Sequence, residues 1–433
     1  MDLLSCFTYL NQQIFAIPAT LLFIGVAIIL TVQTRFIQIR GFPRFLHLIT
    51  HGVVQEHTSK SRISPIRAVF AAMTTTMGMG NLVGPTIAIM VGGPGALFWL
   101  IVYIVLGSAT KLAEVIFALR TRVVTDGHTV GGPMYYLREV HPFLAYWYAG
   151  VMVVLFAGWS SIQSNTLACI CALEGILPWM VGASLALIVL AVLSGGVRRV
   201  GAVATTLVPF IFVLYVLFAL IILVQNAGQL GRVLQEIFWA VLQPRAPIGA
   251  FVGVTLMQAM RAGFYQAIFI TEAGVGTSSI PHAVADVKNP MDQGLLALFS
   301  TLANTILCTI SGLLVLVTDI WLTGSFRSTL IYEVFKYHAP AGGNFVLLAI
   351  MILFVVSTVI GNSFNGVQTF GSLTHYRAVP LYLLATAACI FAGSLVQARL
   401  AWEIMETLLT LVAIPNLIGI LILSWRHKQY LRF

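Results

Sequence analysis

An apolar run from about residue 66 to 91 is interrupted near its middle by the stretch TTTMGMGN, residues 74–81. Two glycines and four polar side chains in this stretch weaken a helix inside a bilayer, because lipid cannot hydrogen-bond to freed backbone groups. Such an interruption is tolerated where the unwound backbone faces protein or a water-filled cavity. The stretch therefore predicts a broken helix inside a bundle of membrane-spanning helices.

The composition supports a membrane-embedded bundle. Of the 433 residues, 59% are hydrophobic and 9% are charged, whereas a soluble domain carries about 25% charged residues. Eleven apolar runs are long enough to cross the hydrocarbon core as helices. They lie at about 14–33, 66–91, 95–119, 144–173, 178–194, 202–225, 250–276, 291–322, 344–370, 380–396 and 403–424. These runs are too long for barrel strands, so the sequence predicts an all-α membrane protein that forms one transmembrane domain over residues 1–433.

The distribution of basic residues predicts the orientation of the spans, because cytoplasmic loops carry an excess of lysine and arginine. Eleven spans place the two termini on opposite sides. Of the 23 basic residues, 16 fall on the side of the C-terminus and five on the other, while Lys111 and Arg261 lie within spans. We therefore expect a multi-pass protein of the cell (inner) membrane, with the C-terminus in the cytoplasm and the N-terminus outside.

Other classes of protein are disfavoured by the same sequence. The net charge of +9 is not a nucleic-acid signature, because no basic stripe carries interleaved aromatic residues. The five cysteines show neither a disulfide framework nor a zinc-binding spacing, and no reactive pair or triad accompanies Glu272. We therefore expect neither enzyme activity nor a cofactor.

A second interrupted run follows five spans after the first. It carries Gln258, Arg261, Gly263 and Gln266 near its middle and continues into the stretch EAGVG, residues 272–276. We expect this run to break as well, for the reason given for the first.

The spacing of the two interruptions predicts an internal repeat. Spans two to six (residues 66–225) and spans seven to eleven (residues 250–424) form two sets, and each set opens with its interrupted helix. An odd number of helices in each set forces the second set to insert upside down, which is the inverted-repeat plan of secondary transporters. The span at 14–33 is then an extra helix at the N-terminal end.

An unwound stretch at Gly78 offers two kinds of backbone group. The N-terminal end of a half-helix carries about half a positive charge and can hold a carboxylate, while freed carbonyls can hold a cation. A zwitterionic amino acid together with Na⁺ fits both ends, and Thr75, Thr76 and Asn81 could add side-chain ligands. The alternative is close helix packing through small residues.

Two further spans carry an unusual number of polar residues. Span four contains Gln163, a candidate for hydrogen bonding to substrate, and span nine contains Ser357 and Thr358, whose hydroxyls suit Na⁺. Hydrogen bonding between helices is the alternative for both spans.

Charged residues within spans are costly and few. Lys111 and Glu114 are three residues apart on one helix face, and we expect them to form a structural ion pair. Glu272 could cap helix ends or form an inner gate.

Several motifs in order resemble those of the alanine or glycine:cation symporter family. They are SP at 64–65, GMGN at 78–81, GGPGA at 92–96, ATK at 109–111, AEV at 113–115, GGPMYY at 131–136, EAGVG at 272–276, PHA at 281–283, NP at 289–290, QG at 293–294 and AIPNL at 413–417. The resemblance spans nearly the whole chain. It implies a leucine-transporter-like 5+5 inverted repeat with one extra helix.

Together with this resemblance, the pattern of residues yields a set of expected ligands. Those expected to bind substrate are Thr76, Gly78, Gly80, Asn81, Gln163, Gly263, Phe264, Thr358 and Asn362. Those expected to hold Na⁺, the coupling ion, are Thr75, Gly78, Ser357 and Thr358. By the resemblance, Gly263 and Phe264 would form the break in the seventh span.

The chain departs from the family pattern at the expected site. The family's Gly-Trp-Ser-Tyr-Tyr-Gly-Glu on span nine is GNSFNGV here, residues 361–367. Asn362 in place of a pocket tryptophan should enlarge the cavity and make it more polar, so we expect a substrate other than simply alanine. The sequence predicts sodium-coupled symport of a small, alanine- or glycine-like amino acid by alternating access. Proton coupling, another amino acid substrate and a non-transporting sensor of the same fold are the alternatives, and the oligomeric state is left open.

Overall fold

The computed structural model describes residues 3–55, 62–125, 127–242, 256–323, 329–338, 342–396 and 398–432. The helices of the first half are α1 (Leu3–Tyr9), α2 (Ala16–Gln33), α3 (Ile37–Arg40), α4 (Phe42–His51), α5 (Pro65–Thr76), α6 (Met79–Gly92), α7 (Gly95–Arg120), α8 (Pro133–Tyr136), α9 (Pro142–Ala172), α10 (Pro178–Leu193) and α11 (Gly196–Gln225). Those of the second half are α12 (Ala227–Leu242), α13 (Leu256–Thr271), α14 (Ser279–Ala283), α15 (Pro290–Val317), α16 (Leu330–His338), α17 (Gly343–Thr374), α18 (Val379–Gly393) and α19 (Ala398–Arg426). Short π and 3₁₀ turns lie at Leu10–Phe15, Leu137–Glu139, Ile320–Thr323 and Lys428–Leu431. One antiparallel hairpin joins β1 (Val123–Thr125) to β2 (His128–Val130).

The helices confirm an all-α membrane protein. Six of the described helices are long and apolar enough to cross a membrane by length and composition. They are Gly95–Arg120, Pro142–Ala172, Gly196–Gln225, Pro290–Val317, Gly343–Thr374 and Ala401–Arg426. A seventh span results if α2 and the α3–α4 segment, bent by 54° relative to it, are counted together. Among the described residues, α6, α10 and α18 are shorter apolar helices.

Each of the eleven predicted apolar runs coincides with helical structure. The run at 14–33 matches α2, and the run at 66–91 is divided between α5 and α6. Residues 250–255, at the start of the seventh run, lie outside the described residues. The positions of the helices therefore follow the hydropathy pattern closely.

Local sequence explains where several helices begin. Proline occupies the first turn of α5, α9, α10 and α15, where its fixed φ suits the helix and its missing N–H is not needed. The Asn289 side chain accepts a hydrogen bond from the Met291 amide over 3.1 Å at the start of α15. Such caps supply a partner for an amide that no preceding turn can satisfy.

The first predicted interruption is present. Helix α5 ends at Thr76, and α6 begins at Met79. Between them, Met77 has φ −108° and ψ 88°, and Gly78 is extended with φ −145° and ψ −162°. The helix is thus broken over two residues at the position that TTTMGMGN predicted.

The second interruption is present but lies elsewhere. Helix α13 runs without a break through Gly263 and Phe264 to Thr271, and the unwound segment covers residues 272–278 before α14. Positive φ angles at Glu272 (55°), Gly274 (94°) and Gly276 (90°) turn this chain away from the helix. Because glycine adopts this conformation without a steric cost, the two glycines fit the turn.

The prediction that Gly263 and Phe264 form the second break is therefore wrong. A Cβ atom added to Gly263 would lie 2.8 Å from the Leu100 amide nitrogen and 2.9 Å from the Trp99 Cβ of α7. The missing side chain lets α13 approach the backbone of α7, which is the packing role of small residues in membranes. The Phe264 ring packs against Trp99, with ring centroids 5.6 Å apart.

The two half-helices at one end of the bundle, α5 and α14, are joined through the chain next to them. Ile63 and Ala285 form a parallel β-bridge: the Ile63 amide donates to the Val284 carbonyl over 3.0 Å, and the Asp286 amide donates to the Ile63 carbonyl over 2.8 Å. The Gln293 side chain adds a hydrogen bond of 3.2 Å to the Pro65 carbonyl at the start of α5. These contacts fix the two broken helices to each other at this end.

Candidate functional site

The first break exposes the groups that a helix normally conceals. Of the first amides of α6, that of Asn81 donates to the Gly78 carbonyl over 3.0 Å. The amides of Met79 and Gly80 have no preceding helical turn to bond to, and among the described residues no side chain caps this N-terminus. The Asn81 side chain donates 2.7 Å to the Thr76 carbonyl at the end of α5. Asn81 therefore fixes the geometry of the break across its own two halves, while the N-terminus of α6 carries the partial positive charge of the helix dipole.

Helix α17 packs directly on this break. A Cβ atom added to Gly78 would collide with Oγ1 of Thr358, and one added to Gly361 would collide with Oγ1 of Thr74. The Thr358 hydroxyl donates 2.9 Å to the Phe354 carbonyl within its own helix. Its oxygen lone pairs therefore remain available on the side of Gly78.

A cavity lies where the two breaks meet α9 and α17. Its lining combines hydroxyl, amide and carboxylate groups with three large apolar side chains. The lining residues are Thr75, Thr76, Gly78, Gly80, Asn81, Trp159, Gln163, Phe269, Ile270, Glu272, Thr358 and Asn362. We call this space the central cavity.

Three polar atoms around the central cavity lack a hydrogen-bond partner among the described residues. They are Oγ1 of Thr76, Oε1 of Gln163 and Oδ1 of Asn362, and all three side chains are buried. Leaving a buried polar atom without a partner costs about 1–3 kcal/mol, so native proteins rarely keep several together without a ligand or water to satisfy them. The cavity is therefore suited to a small ligand that carries hydrogen-bond donors.

Side chains from other helices hold the second break in place. Four carbonyls at this break accept hydrogen bonds from side chains of other helices: Ala273 from Tyr103 (3.2 Å), Gly274 from Asn416 (2.9 Å), Val275 from Tyr148 (2.9 Å) and Thr271 from Lys111 (3.3 Å). The Gly274 amide donates to Oε1 of Glu114 over 3.0 Å, and Asn416 donates to the same oxygen over 2.8 Å. Side chains of α7, α9 and α19 thus hold the carbonyls of residues 273–275 and the Gly274 amide.

The same contacts show that the predicted ion pair between Lys111 and Glu114 is wrong. Both side chains instead reach the second break, where Lys111 bonds a carbonyl and Glu114 bonds an amide. An unwound segment offers buried backbone groups of both kinds, and these draw the ammonium and the carboxylate to different atoms.

Glu272 links the two breaks. Its Oε2 accepts a hydrogen bond from the Thr75 hydroxyl over 3.1 Å and another from the Thr277 hydroxyl. The residue is 4% exposed and lines the central cavity. It brings a carboxylate group next to the end of α5, where the expected cation ligands Thr75 and Gly78 lie.

The structure gathers most of the predicted site residues around one cavity. Those that line it are Thr75, Thr76, Gly78, Gly80, Asn81, Gln163, Thr358 and Asn362. Gly263 and Phe264 lie in the contact between α13 and α7 instead, and Ser357 is buried beside Thr358 without lining the cavity.

Four lining residues were not predicted as ligands: Trp159, Phe269, Ile270 and Glu272. Phe269 packs against Trp159 with ring centroids 6.3 Å apart and against Trp402 at 5.5 Å, so the aromatic residues form one wall of the cavity. Apolar residues fill every span, so nothing in the sequence distinguishes the ones that face a cavity. Only Glu272 carried a signal, as a rare charge at the end of a span.

Two broken helices that meet around a polar cavity, inside an apolar helical bundle, define the class of a membrane transporter rather than an enzyme. The sequence model of the sodium:alanine symporter family matches residues 1–432. The chain belongs to this family, as the sequence motifs predicted. It is a cation-coupled amino acid transporter.

Individual proteins agree with this assignment. The sodium/alanine symporter AgcS of Methanococcus maripaludis is 33% identical over 439 residues, which cover 98% of this chain and 95% of that protein. Among solved structures, MhsT in complex with L-phenylalanine matches with a TM-score of 0.64 at 14% identity, over 84% of this chain and 89% of that one. A Na⁺-coupled sialic acid symporter in a substrate-bound outward-open state matches with a TM-score of 0.53 at 12% identity, over 94% and 84% of the two chains. These two likenesses show a shared leucine-transporter-like fold.

Proposed function

We propose that this protein is a sodium-coupled symporter that moves a small amino acid across the cell membrane by alternating access. The observation that supports this most directly is the central cavity at the first break. Within the part of the chain that the structure describes, it combines an uncapped helix N-terminus with oxygens of Thr76, Gln163 and Asn362 that have no hydrogen-bond partner. These groups have opposite polarity, as the two ends of a zwitterion require.

The substrate carboxylate binds at the N-terminus of α6 in this proposal. Amides that begin a helix hold an anion through their hydrogens and through the helix dipole. The glycines at 78 and 80 leave this backbone open to a ligand, and Asn81 keeps the two halves in register. The substrate ammonium faces the amide oxygens of Gln163 and Asn362.

Na⁺ binds between the end of α5 and α17 in this proposal. The oxygen ligands are the Thr75 and Thr358 hydroxyls and the Gly78 carbonyl. Ser357, which is buried next to Thr358, is a further candidate ligand. Unwound carbonyls and half-helix C-terminal ends are the cation ligands of this transporter class. The carboxylate of Glu272, bonded to Thr75, stabilises a cation there.

The substrate range extends beyond alanine. By the resemblance of the sequence motifs, Asn362 stands where the family carries a bulky tryptophan. Its Oδ1, which has no partner among the described residues, belongs to a cavity with polar and apolar lining. The additional space and polarity favour small amino acids with a polar side chain alongside alanine and glycine. Trp159, Phe269 and Ile270 limit the length of side chain that fits.

The proposed topology has eleven spans. The six long helices are joined by α2, α10 and α18, and the broken pairs α5–α6 and α13–α14 cross as single interrupted spans. Residues 66–225 and 250–424 form the two inverted repeats, preceded by the extra helix. The excess of basic residues supports a cytoplasmic C-terminus and an N-terminus outside the cell (inner) membrane.

Transport requires that the ligands favour a closed state. A ligand shifts a conformational equilibrium only by its differential affinity for the two states. Na⁺ and substrate bound between the first break and α17 would hold these elements together, since the ligands of both come from both elements. The movements of Na⁺ and the amino acid are then coupled, because neither ligand alone makes all the contacts that hold the first break against α17.

Proton coupling is the second candidate, and one observation favours it. A carboxylate, Glu272, lies inside the cavity and bridges both breaks, so a change in its protonation would alter the contacts of both. A proton on this group could replace Na⁺ as the coupling charge.

Reconstituted protein separates these candidates. Uptake of radiolabelled alanine, glycine, serine and larger amino acids into proteoliposomes is measured with an inward Na⁺ gradient, and then with a proton gradient in Na⁺-free buffer. We expect uptake that requires Na⁺ and extends beyond alanine. Uptake driven by the proton gradient alone would favour the second candidate, and alanine as the only transported amino acid would refute the wider substrate range. Binding without uptake would identify a sensor.

A further inference from the structure

Two short helices, α3 and α4, follow the first span and leave its axis. Gly41 between them keeps helical angles (φ −78°, ψ −15°), so Ile37–His51 is one continuous segment, which we call the surface helix. It is bent by 54° relative to Ile17–Gln33. Arg35 and Phe36 make the bend with φ angles of 53° and 58°, which are uncommon outside glycine. In the proposed topology the surface helix lies on the cytoplasmic side of the membrane.

One face of the surface helix is attached to α15. Phe45 and Leu48 on this face are buried, and the Phe45 ring lies 6.4 Å from the ring of Phe299, measured between centroids. A Cβ atom added to Gly41 would lie 2.6 Å from Cδ2 of Leu295, so the backbone of the surface helix runs close to α15. These contacts fix the rotation of the surface helix about its own axis, and its two other faces therefore point away from the bundle.

A second face carries an apolar stripe. Ile39, Phe42, Leu46 and Ile49 follow each other in steps of three, four and three residues, which places them on one side of a helix. Each of the four residues is 42–73% exposed. A contiguous apolar patch of this kind marks a membrane or protein interaction site, and here it continues the exposed apolar surface of α2 at Ile28 and Val32 onto the surface helix.

The third face carries a basic stripe. Arg40, Arg44, His47 and His51 follow each other in steps of four, three and four residues, and the rings of His47 and His51 stack with centroids 4.3 Å apart. The Arg44 guanidinium pairs with Asp292 at the start of α15 over 2.5 Å. Arg40 is exposed, and the described part of the chain supplies it with no acidic partner. This guanidinium is therefore open to an anion from outside the protein.

The two outward faces match the two layers of a membrane surface. A helix with an apolar face and a basic face lies in the interface, with its apolar side chains among the acyl chains and its charges at the headgroups. The cytoplasmic leaflet attracts such a basic face because it carries anionic lipids. An acidic soluble protein would match the basic stripe alone and would leave Phe42 and Leu46 exposed to water. The pattern of both stripes therefore favours a lipid.

We propose that the surface helix is a binding site for an anionic phospholipid of the cytoplasmic leaflet. The lipid phosphate binds the Arg40 guanidinium, whose planar N–H groups suit phosphate oxygens, and the acyl chains lie along Phe42 and Leu46. This assignment rests on the proposed topology and not on the identity of the transported substrate. Because the face with Phe45 and Leu48 is fixed to α15, the lipid site has a defined place on the surface of the protein.

Photolabelling of the whole protein in vesicles tests the site. The vesicles consist of phosphatidylcholine with a trace of phosphatidylglycerol or phosphatidylcholine that carries a photoreactive acyl chain, and mass spectrometry of peptides measures the label on Ile37–His51. We expect phosphatidylglycerol to label this segment of the wild-type protein more strongly. Arg40→Gln should lower the ratio of phosphatidylglycerol to phosphatidylcholine labelling about fivefold, as expected for one charge near an anionic lipid.

Two further variants separate the site from general effects of charge and folding. Arg432→Gln removes an exposed arginine on the same proposed side of the membrane, beyond the end of α19, and should keep the wild-type ratio. Leu46→Gln keeps every arginine but weakens the apolar stripe, and should lower the labelling of Ile37–His51 by both lipids.

Several results would overturn the lipid site. They are equal labelling by the two lipids in the wild-type protein, a wild-type ratio in Arg40→Gln, an equal loss in Arg432→Gln, and undiminished labelling of Leu46→Gln. Displacement of phosphatidylglycerol by glycerol 3-phosphate, its soluble headgroup fragment, would identify a soluble phosphate as the ligand instead. The labelling does not require transport, so a protein that binds the lipid but takes up no amino acid would overturn the proposed function and leave the lipid site standing.

Discussion

Oε2 of Glu272 accepts a hydrogen bond of 3.1 Å from the hydroxyl of Thr75, so a carboxylate of one broken helix holds the end of the other. The same oxygen accepts from Thr277 within its own break. The two interruptions are therefore a single polar unit at the centre of the bundle.

Removing the charge of Glu272 should weaken the cation site. Glu272→Gln keeps a hydrogen-bonding side chain of the same size, but loses the attraction of a carboxylate for Na⁺. We expect the Na⁺ concentration for half-maximal uptake to rise about tenfold, since a charge at short range contributes on the order of a kcal/mol or more. Glu236→Gln on α12, which removes a carboxylate paired with Arg232, is the control. An unchanged Na⁺ dependence would place the cation away from Glu272.

A methyl group at Gly78 should close the contact between the first break and α17. Its Cβ collides with the Thr358 hydroxyl, so either the helices separate or the threonine turns its oxygen away. We expect Gly78→Ala to abolish uptake and to lower stability by about 1–3 kcal/mol, as overpacking does. Uptake and thermal unfolding of the detergent-solubilised protein are both measured.

Gly25→Ala on α2 serves as the control for this variant, because no atom of the described residues lies within 4 Å of the added methyl group. It should leave both uptake and stability unchanged. Equal behaviour of the two variants would contradict a tight contact at Gly78.

Asn81 should matter for transport more than for insertion. Asn81→Ala removes the 2.7 Å hydrogen bond to the Thr76 carbonyl, which fixes the orientation of the α6 N-terminus. We expect uptake to fall at least about tenfold, since a small misplacement of binding groups has a large effect on rate, while membrane expression persists. Asn226→Ala, which removes a comparable bond to Ile222 at the end of α11, is the control. Wild-type uptake by Asn81→Ala would move the site elsewhere.

Gly263 should act through packing alone. Gly263→Ala forces α13 away from the α7 backbone at Leu100, and we expect a loss of about 1–3 kcal/mol in stability. Gly150→Ala, at a helix position where the described part of the chain places no atom within 4 Å of the added Cβ, should be neutral. Thermal unfolding in detergent measures both. A Gly263 variant that keeps wild-type stability but loses substrate binding would restore this residue to the site.

Asn416 should be needed to keep the second break folded. It donates to Glu114 and to the Gly274 carbonyl, and its own oxygen accepts from Tyr136 over 2.7 Å. Asn416→Leu removes the side-chain partner of the Gly274 carbonyl and of the Tyr136 hydroxyl and leaves Glu114 with only the Gly274 amide as donor. A buried group left without a partner costs about 1–3 kcal/mol. Ser424→Ala, which removes one local hydrogen bond in the same helix, is the control. A smaller loss of stability in Asn416→Leu than in Ser424→Ala would argue against the network.

The first break could be predicted because its cause is local. Glycines and threonines at 74–81 cannot form a regular helix in lipid without support, and the residues that unwind are the ones that carry the signal. The hydropathy pattern likewise predicted the positions of the helices, because each apolar run inside a bilayer must satisfy its own backbone hydrogen bonds. Most of the central cavity follows from these two facts.

The second break was misplaced because glycine has two uses. Gly263 permits a close approach between helices, whereas Gly274 permits a positive φ. The sequence shows a glycine at both positions and does not distinguish these two roles. The contacts that distinguish them join residues far apart in the chain, such as Glu114 and Asn416. A single sequence without its fold does not indicate which distant side chain will meet which loop.

The short parallel bridge between Ile63 and Ala285 has a consequence for how the inner side of the protein can open. Tilting α5 by itself would break both main-chain hydrogen bonds at this bridge, and tilting α14 by itself would break the same two. The least costly motion keeps the bridge intact and turns both half-helices together about their unwound segments. In the topology proposed above, release to the cytoplasm would then be one concerted rotation about residues 77–78 and 272–278.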